Sequence, residues 1–248
     1  MFLSERYILV GEVGKNPYKA YLNVVDIQDP ANPVRCKFQL PRLAYFQRSY
    51  ISLSSCRRTG VTPQESILFA EDPKETVVYA NIRVKEILGL FVLAGRLVKL
   101  AEARPGDIVP WEDWGPDNAR FINLEYEGFN PYTGANVEVI GTRAFILQKN
   151  RDKLVLYDFN QRSIKRELAK NKKSKNIVTR PTDSSDWTSF EQGVVTRLPY
   201  RLIYAPACRE DVRQWENIYA SEDGIVIEPE LVRASTLHDS LRPGPTLT

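Results

Sequence analysis

Short apolar segments recur along the whole chain and are separated by turn-forming residues. They are rich in Val, Ile, Leu, Tyr and Phe, and their lengths and β-branched or aromatic content favour strands over helices. The clearest of them cover residues 7–10, 21–27, 50–53, 67–70, 76–84, 90–100, 137–147, 153–159, 194–205 and 224–227. Clusters of Pro, Gly, Asn and Asp between them are typical of turns. The pattern predicts an all-β fold.

Helical periodicity is scarce by comparison. Residues 164–170 have room for two helical turns, and residues 211–218 have room for another short piece. Neither segment carries an apolar stripe long enough for a helix to stand alone. We therefore predict loops with short helical decoration at both places.

Three of the predicted strands end in the same way. The segments LNVVDIQDP, ILFAED and LVLYDFNQR place Asp26, Asp72 and Asp158 directly after an apolar run. The intervals are multiples of about 44 residues, close to the roughly 40 to 45 residues of a four-stranded propeller blade. A local explanation is also open, because an Asp side chain can cap a turn by accepting a hydrogen bond from the backbone two residues on.

This repeat predicts a degenerate, WD-repeat-like β-propeller. At about 44 residues per blade the chain holds five to six blades, toward the low end of the four to eight that close a ring. The segment YASEDGIV, at residues 219–226, is typical of the start of a blade. An incomplete ring is the alternative, and its open edge strands would pair with another chain. We expect residues 1–232 to form the propeller-like domain and the polar residues 233–248 to form a disordered tail.

Composition places the chain among soluble globular proteins. It is 43% hydrophobic and 26% charged, with a formal net charge of +3. That charge is too small to make nucleic-acid or membrane binding the default. No segment reaches the roughly 20 apolar residues of a membrane helix, and the apolar run at the N-terminus is too short for a signal peptide. Cys36, Cys56 and Cys208 lie far apart without a CxxC pair, which is typical of reduced thiols and predicts a cytoplasmic or nuclear protein.

The most distinctive stretch is IVPWEDWGPDNARFINL, at residues 108–124. It places Trp111 and Trp114 three residues apart, and each ring can bury about 150 to 250 Å². Pro110, Gly115 and Pro116 argue against a continuous helix. The stretch therefore predicts an irregular loop that leads into a strand and pins two large rings against the rest of the protein.

Two interpretations of this stretch remain open. Because Trp and Arg dominate the energetics of protein interfaces, the first is a partner-binding hot spot. Its candidate residues are Trp111, Glu112, Asp113, Trp114 and Arg120. The second is a structural corner, in which the two Trp rings fill a gap between blades and Arg120 pairs with Asp113 or with Asp117.

The segment IVPWEDWGPDNARFI, with residues 22–30 upstream and 137–158 downstream, resembles the C-terminal region of the F-box protein family of mushroom-forming (basidiomycete) fungi. The resemblance covers most of the chain, and WEDWGPDN is its most specific part. It implies a degenerate propeller-like domain that follows an F-box and recognises the substrate proteins of an SCF-type ubiquitin ligase. It also implies a Skp adaptor as partner.

The chain departs from this family at its start. It opens directly on a predicted strand, whereas an F-box is a helical segment that usually begins with a Leu-Pro-x-Glu pattern. The WD dipeptide and Gly-His signatures of ordinary WD repeats are missing as well. We expect either a fragment or a gene that has lost its adaptor-binding part, with the Skp adaptor binding only to a chain that carries an F-box.

No residue pattern in the sequence indicates a catalytic, metal or cofactor site. The single histidine, His238, lies in the polar tail, and no close Cys and His spacing suits zinc. Glu112, Asp113 and Asp117 lack the spacing of a calcium loop, and GxGxxG and GxxxxGK[ST] are missing. We predict a non-enzymatic interaction domain without a cofactor. The alternative is an enzyme on a propeller scaffold that uses carboxylates of a central pocket.

One local block of positive charge stands out. It consists of Lys165, Arg166, Lys170, Lys172, Lys173 and Lys175. We expect a solvated loop between strands, because no aromatic residue is interleaved to form a stacking platform. The alternatives are a surface for an acidic partner, a nucleic-acid contact and a nuclear-import signal.

Overall fold

The computed structural model describes residues 1–14, 19–44, 50–54, 75–124, 137–148, 153–171, 174–205, 215–220 and 225–229. Several of the sequence predictions lie outside these residues. They concern the strand at 67–70, Asp72, Cys56, Cys208, the turn at 221–224, Lys172, Lys173, His238 and the tail at 233–248.

The described residues form seventeen strands and three helices. In chain order the strands are β1 (Tyr7–Val13), β2 (Ala20–Asp26), β3 (Val34–Gln39), β4 (Tyr50–Ser54), β5 (Val77–Arg83), β6 (Ile87–Leu93), β7 (Ile108–Val109), β8 (Ala119–Asn123), β9 (Val137–Ile140), β10 (Arg143–Gln148), β11 (Lys153–Asp158), β12 (Ile177–Val178), β13 (Thr182–Asp183), β14 (Val195–Thr196), β15 (Tyr200–Ala205), β16 (Trp215–Ala220) and β17 (Ile225–Pro229). The helices are α1 (Ala94–Ala103), α2 (Trp111–Asn118) and α3 (Gln161–Lys170).

The strands are arranged in three larger sheets and two two-stranded ribbons. The first sheet has the order β1-β2-β3-β7, the second β4-β5-β6-β8 and the third β12-β15-β11-β10-β9. The ribbons are β13-β14 and β16-β17. Pairing is antiparallel except between β3 and β7. None of these sheets closes on itself within the described part of the chain.

The second sheet lies between the other two and is buried on both faces. In β6, Leu88 and Leu90 pack in the core shared with the first sheet, while Phe91 packs in the core shared with the third sheet. All seven residues of β6 are buried. A strand covered on both faces has no solvent side, which explains why this stretch reads as a continuous apolar run without alternation.

The first strands of the sheets lie at sheet edges and near one another. β1 lies beside β4, and β9 lies beside β5 and β16. The contact between β1 and β4 is close, because a Cβ atom placed on Gly11 would lie 2.8 Å from Cγ2 of Ile51. The sheets therefore approach one another along one edge as well as face to face.

The all-β prediction is confirmed, and so are the strands predicted near residues 7–10, 21–27, 50–53, 76–84 and 153–159. The apolar runs at 137–147 and 194–205 are each two strands separated by a turn or short link. The segment at 211–218, predicted to be helical decoration, instead contributes to strand β16 from Trp215 onward.

Helices α1 and α3 both differ from the sequence predictions. Residues 90–100 were expected to form one strand, but β6 ends at Leu93 and α1 begins at Ala94. The sequence of α1, AGRLVKLAEA, is rich in helix formers, and one stripe, Ala94, Leu97 and Ala101, is buried.

α3 is also a regular helix of ten residues, where a loop was predicted. Asn160 caps its start by accepting a hydrogen bond from the Ser163 amide.

Asp26 and Asp158 cap the turns that follow their strands. Oδ1 of Asp26 accepts from the Gln28 amide at 3.0 Å, and Oδ1 of Asp158 accepts from the Asn160 amide at 3.0 Å. The local explanation of these aspartates is therefore confirmed at both positions. Asp26 is buried and also accepts a hydrogen bond from Nε of Arg6 at 2.8 Å.

We predict that Asp26→Asn destabilises the protein in a pH-dependent way. The hydrogen bond from Arg6 holds the pKa of Asp26 below its ordinary value. A carboxylate with a lowered pKa stabilises the fold above its unfolded-state pKa of about 3.9, and loses that contribution as pH falls through the folded-state pKa. The variant should be less stable than wild type at pH 7, and the difference should shrink below about pH 4. Urea unfolding between pH 3 and 7 measures it.

Asp29→Asn is the matched control. Asp29 also accepts from a turn amide, that of Asn32 at 3.2 Å, but no arginine among the described residues pairs with it. At pH 7 the Asp29→Asn variant should lose less stability than Asp26→Asn, because it removes no arginine pair. An Asp26→Asn effect of equal size at every pH would contradict the role given to the Arg6 pair.

Candidate functional site

The Trp-containing stretch is a helix, where the sequence analysis predicts an irregular loop. α2 runs from Trp111 to Asn118 and leads directly into β8, so the strand that follows is confirmed. Pro110 is the N-cap with φ −64° and does not interrupt the helix. Pro116 lies inside it and removes one backbone donor. The burial of two indole rings outweighs that single hydrogen bond.

The two indole rings fix α2 between the first and second sheets. Trp114 is fully buried, and its Nε1 donates to the carbonyl oxygen of Gln39 at 2.9 Å. Its ring centroid lies 5.3 Å from that of Phe38 in β3 and 5.0 Å from that of Trp111. The Trp111 ring lies 5.4 Å from that of Phe121 in β8. The rings fill the gap between two sheets, as the structural-corner interpretation predicts.

Arg120 does not pair with Asp113 or Asp117, so that part of the structural-corner interpretation is wrong. Asp113 pairs with Arg104, and Asp117 pairs with Arg197, each at 3.2 Å. These carboxylates lie on the exposed side of α2, whereas the Arg120 side chain points into the interior.

Arg120 holds three oxygen atoms inside the protein. Its Nε donates to the Leu198 carbonyl at 2.8 Å, and its Nη1 donates to Oγ1 of Thr182 at 2.6 Å and to the Arg180 carbonyl at 3.1 Å. The guanidinium lies 5.1 Å from the ring centroid of Tyr200. Burial lowers the pKa of Arg120, since no carboxylate among the described residues neutralises it.

These contacts hold residues 180–198, which we call the strap. Only its last five residues were identified from the sequence, as the start of the apolar segment 194–205. Ser189 donates from its amide and its hydroxyl to Oε2 of the buried Glu86, at 3.2 and 2.5 Å. The ring centroid of Phe190, also in the strap, lies 5.1 Å from that of Phe121 in β8. Residues 180–193 of the strap are mostly polar, and the aromatic residues Trp187 and Phe190 are the local signs of burial there.

Three of the five hot-spot candidates are buried, and the hot-spot hypothesis stays a prediction. Trp114 and Arg120 are fully buried, and Trp111 is 5% exposed. Their side chains offer almost no surface to a partner in this conformation. Glu112 and Asp113 are exposed on α2 and remain candidates.

A groove of about 630 Å³ lies beside α2. Three separate parts of the chain form it, namely residues 39–42 after β3, the exposed edge of α2 and residues 192–197 of the strap. Leu40, Trp111, Pro116 and Val194 are among its apolar lining residues. The fixed position of α2 therefore determines the shape of the groove.

The charged residues of the groove are two arginines and one carboxylate, Arg42, Arg197 and Glu112. Arg42 is 3.8 Å from Glu191, and Arg197 is 3.2 Å from Asp117. The arginine side chains are 65% and 50% exposed in these pairs. Exposed ion pairs are worth about 0 to 1 kcal/mol, so either arginine can exchange its partner for an incoming ligand at little cost.

The basic residues predicted to lie in a loop are largely on a helix. Lys165, Arg166 and Lys170 are exposed on α3, and Lys175 is exposed shortly after it. Glu167 of the same helix is turned toward Arg201 and forms an ion pair with it at 2.5 Å.

The described residues contain no group of three or more His, Cys, Asp and Glu side chains placed to hold a metal ion. None of the helices in the described ranges has the length and apolar character needed to cross a membrane.

No protein-family model, no curated protein and no solved structure matches this chain. The resemblance to basidiomycete F-box proteins therefore stays a prediction.

We predict that Arg120→Met loosens the strap. The change leaves the acceptor oxygens of Leu198, Thr182 and Arg180 without their donor, which should reduce the free energy of unfolding by about 2 to 4 kcal/mol. Urea unfolding measures this loss. Hydrogen exchange should become faster at the amides of residues 180–198 in particular.

Arg104→Met serves as the control, because it removes an arginine from the half-exposed pair with Asp113. It should cost less than about 1 kcal/mol. Unchanged exchange of the strap amides in Arg120→Met would show that Arg120 does not anchor this segment.

Proposed function

We propose that this chain is a non-enzymatic protein-interaction domain of propeller-like architecture, which binds partner proteins in the groove beside α2. The observation that carries the proposal is the groove itself, with its mixed polar and apolar lining, its two exposed arginines and the packed helix α2 along one side. Arginine is enriched at protein interfaces, and a groove that combines arginine with apolar surface can anchor side chains of a partner.

The arrangement of the sheets supports the propeller-like part of the proposal. Three sheets of four or five strands stack face to face, and β1, β4 and β9 each lie at the edge of their sheet. The ribbon β16-β17 lies beside β9 and is positioned as the start of a further sheet. In a propeller each blade packs on the next in this way around a central axis. We propose five to six blades, in a closed or an incomplete ring.

The resemblance to F-box proteins supplies the biological setting of the proposal. Its most specific segment, WEDWGPDN, coincides with α2. Three residues of that segment, Trp111, Glu112 and Pro116, line the groove. We propose that the groove receives substrate proteins of an SCF-type ubiquitin ligase, and that a Skp adaptor binds an F-box joined to this chain.

An extended segment of a partner protein suits the groove better than a flat protein surface. The groove is concave and lies between two backbone segments, residues 39–42 and 192–197. A bound segment would place apolar side chains against Pro116 and Val195, which line the groove and are partly exposed. An acidic side chain of the same segment would then reach Arg42 or Arg197, each of which is held only by a surface ion pair.

Peptide-display selection against the full chain tests this proposal. We predict that selected peptides combine apolar and acidic residues. The double variant Arg42→Glu and Arg197→Glu should bind them at least about tenfold more weakly, a loss of about 1.4 kcal/mol, because it reverses the charge that the peptide meets. Titration calorimetry with the purified variants measures the loss.

The control is Arg104→Glu, which reverses an arginine that follows α1, pairs with Asp113 of α2 and does not line the groove. It should retain the wild-type affinity. Equal binding by the control and the double variant would contradict the groove as the binding site.

The proposed F-box role is tested by the genomic DNA upstream of Met1, where we predict an in-frame F-box. A chain extended by that segment should retain purified Skp adaptor, whereas residues 1–248 alone should not, because no adaptor-binding helix is recognisable in them. Adaptor binding by residues 1–248, or its absence in the extended chain, would contradict this role.

A further inference from the structure

A second, smaller pocket of about 310 Å³ lies where α1 and α3 begin. It shares no lining residue with the groove beside α2. Its charged residues are three cations and one carboxylate, Arg96, Arg162, Lys165 and Glu75. The excess of positive charge distinguishes it from the groove.

Two of the three cations lack a carboxylate partner among the described residues. Glu75 pairs with Nε of Arg162 at 2.7 Å. Nη1 of Arg96 donates to two neutral acceptors, the Asp117 carbonyl at 2.8 Å and Oδ1 of Asn118 at 3.0 Å. Lys165 is exposed and forms no hydrogen bond or ion pair with the described residues.

The surroundings of Arg96 leave its charge poorly compensated. Its side chain is partly buried, and burial lowers the pKa of Arg96, with a smaller opposing effect from the charge of Asp117. The Asp117 carboxylate itself pairs with Arg197. An anion inside the pocket would therefore gain a charge-assisted interaction with Arg96, and no described carboxylate pairs with that guanidinium in its place.

The two helices add to the potential that these side chains create. Neither α1 nor α3 has an acidic residue in its first turn, and the N-cap of α1 provides no side-chain hydrogen bond. Gly95 of α1 and Gln161 of α3 line the pocket. The positive ends of both helices thus lie at the same cavity as the three cationic side chains.

The shape of the pocket selects among anions. The three cations line one small cavity, whereas a nucleic-acid backbone is contacted by cations spread along a surface. At about 310 Å³ the cavity is at the lower end of the range for small-ligand sites, which suits a single compact group. Two cations without a carboxylate partner can be neutralised by one oxyanion of charge −2, such as a phosphate group. A carboxylate, with charge −1, would neutralise only one of them.

We propose that this pocket binds a phosphate monoester, with Arg96 and Lys165 as its principal contacts. Arg162 adds charge at the rim while it remains paired with Glu75. This site is independent of the protein-binding function assigned to the groove.

Calorimetric titration of the full chain with O-phosphoserine, inorganic phosphate and serine tests the proposal. O-phosphoserine should bind, and serine should not. Lys165→Glu should weaken O-phosphoserine binding by at least about tenfold, because it places a negative charge at the pocket. Lys165 has no described partner, so the change should leave the fold intact, and circular dichroism checks this.

Lys170→Glu is the matched control, since Lys170 is exposed on the same helix and does not line the pocket. The affinity of this variant for O-phosphoserine should stay within about twofold of wild type. Salt screens the interaction between an exposed charge at position 170 and a ligand in the pocket. Equal losses in both variants would overturn the proposal, since they would indicate only general attraction to a basic helix. Binding of inorganic phosphate without O-phosphoserine would overturn it as well.

A single-stranded oligonucleotide provides the last arm. Binding that depends equally on Lys165 and Lys170 and weakens steeply with salt would assign the basic face of α3 to nucleic acid and overturn the pocket. The groove variant Arg42→Glu and Arg197→Glu should bind O-phosphoserine as wild type does. The experiments can therefore contradict the proposal for the groove without contradicting the proposal for this pocket, and the reverse.

Discussion

The fold depends on the burial of one sheet on both of its faces. β5 and β6 carry apolar side chains in both directions, and each face is covered by a different neighbouring sheet. Removal of either neighbouring sheet would expose a continuous row of large apolar residues to water. The free-energy cost of that exposure is about 25 cal/mol for each Å² of apolar surface. The positions of the first and third sheets are therefore fixed by the second, and α2 and the strap close the remaining gap between the first two.

β3 and β16 were not predicted. Most of the other longer strands were predictable from sequence, because burial of a strand is recorded locally in its β-branched and apolar residues. The turn caps at Asp26 and Asp158 were predictable for the same reason, since each carboxylate bonds an amide two residues away. α2 was not predictable, because the rule against proline in helices takes no account of what the helix buries. Here Trp114 reaches Phe38 and Gln39, which are more than seventy residues away in sequence.

The candidate sites are less visible in the sequence than the fold. The groove combines residues near 40, 111 and 194, and no local pattern connects them. In the sequence, Arg120 is one of several charged residues between 108 and 124, and nothing local distinguishes it. Its hydrogen-bond partners lie on the strap, 60 to 78 residues further along the chain. The small pocket joins Arg96 to Lys165, and only the meeting of two helix starts brings those two side chains together.

The contact between Trp111 and Gly115 restricts how this region can vary. A Cβ atom at position 115 would overlap the indole ring of Trp111, so even alanine does not fit there while the tryptophan is present. The two positions are one turn apart and share a single volume. In related chains a larger residue at 115 would have to be accompanied by a smaller one at 111, and the groove, which Trp111 lines, would change its width with every such paired exchange.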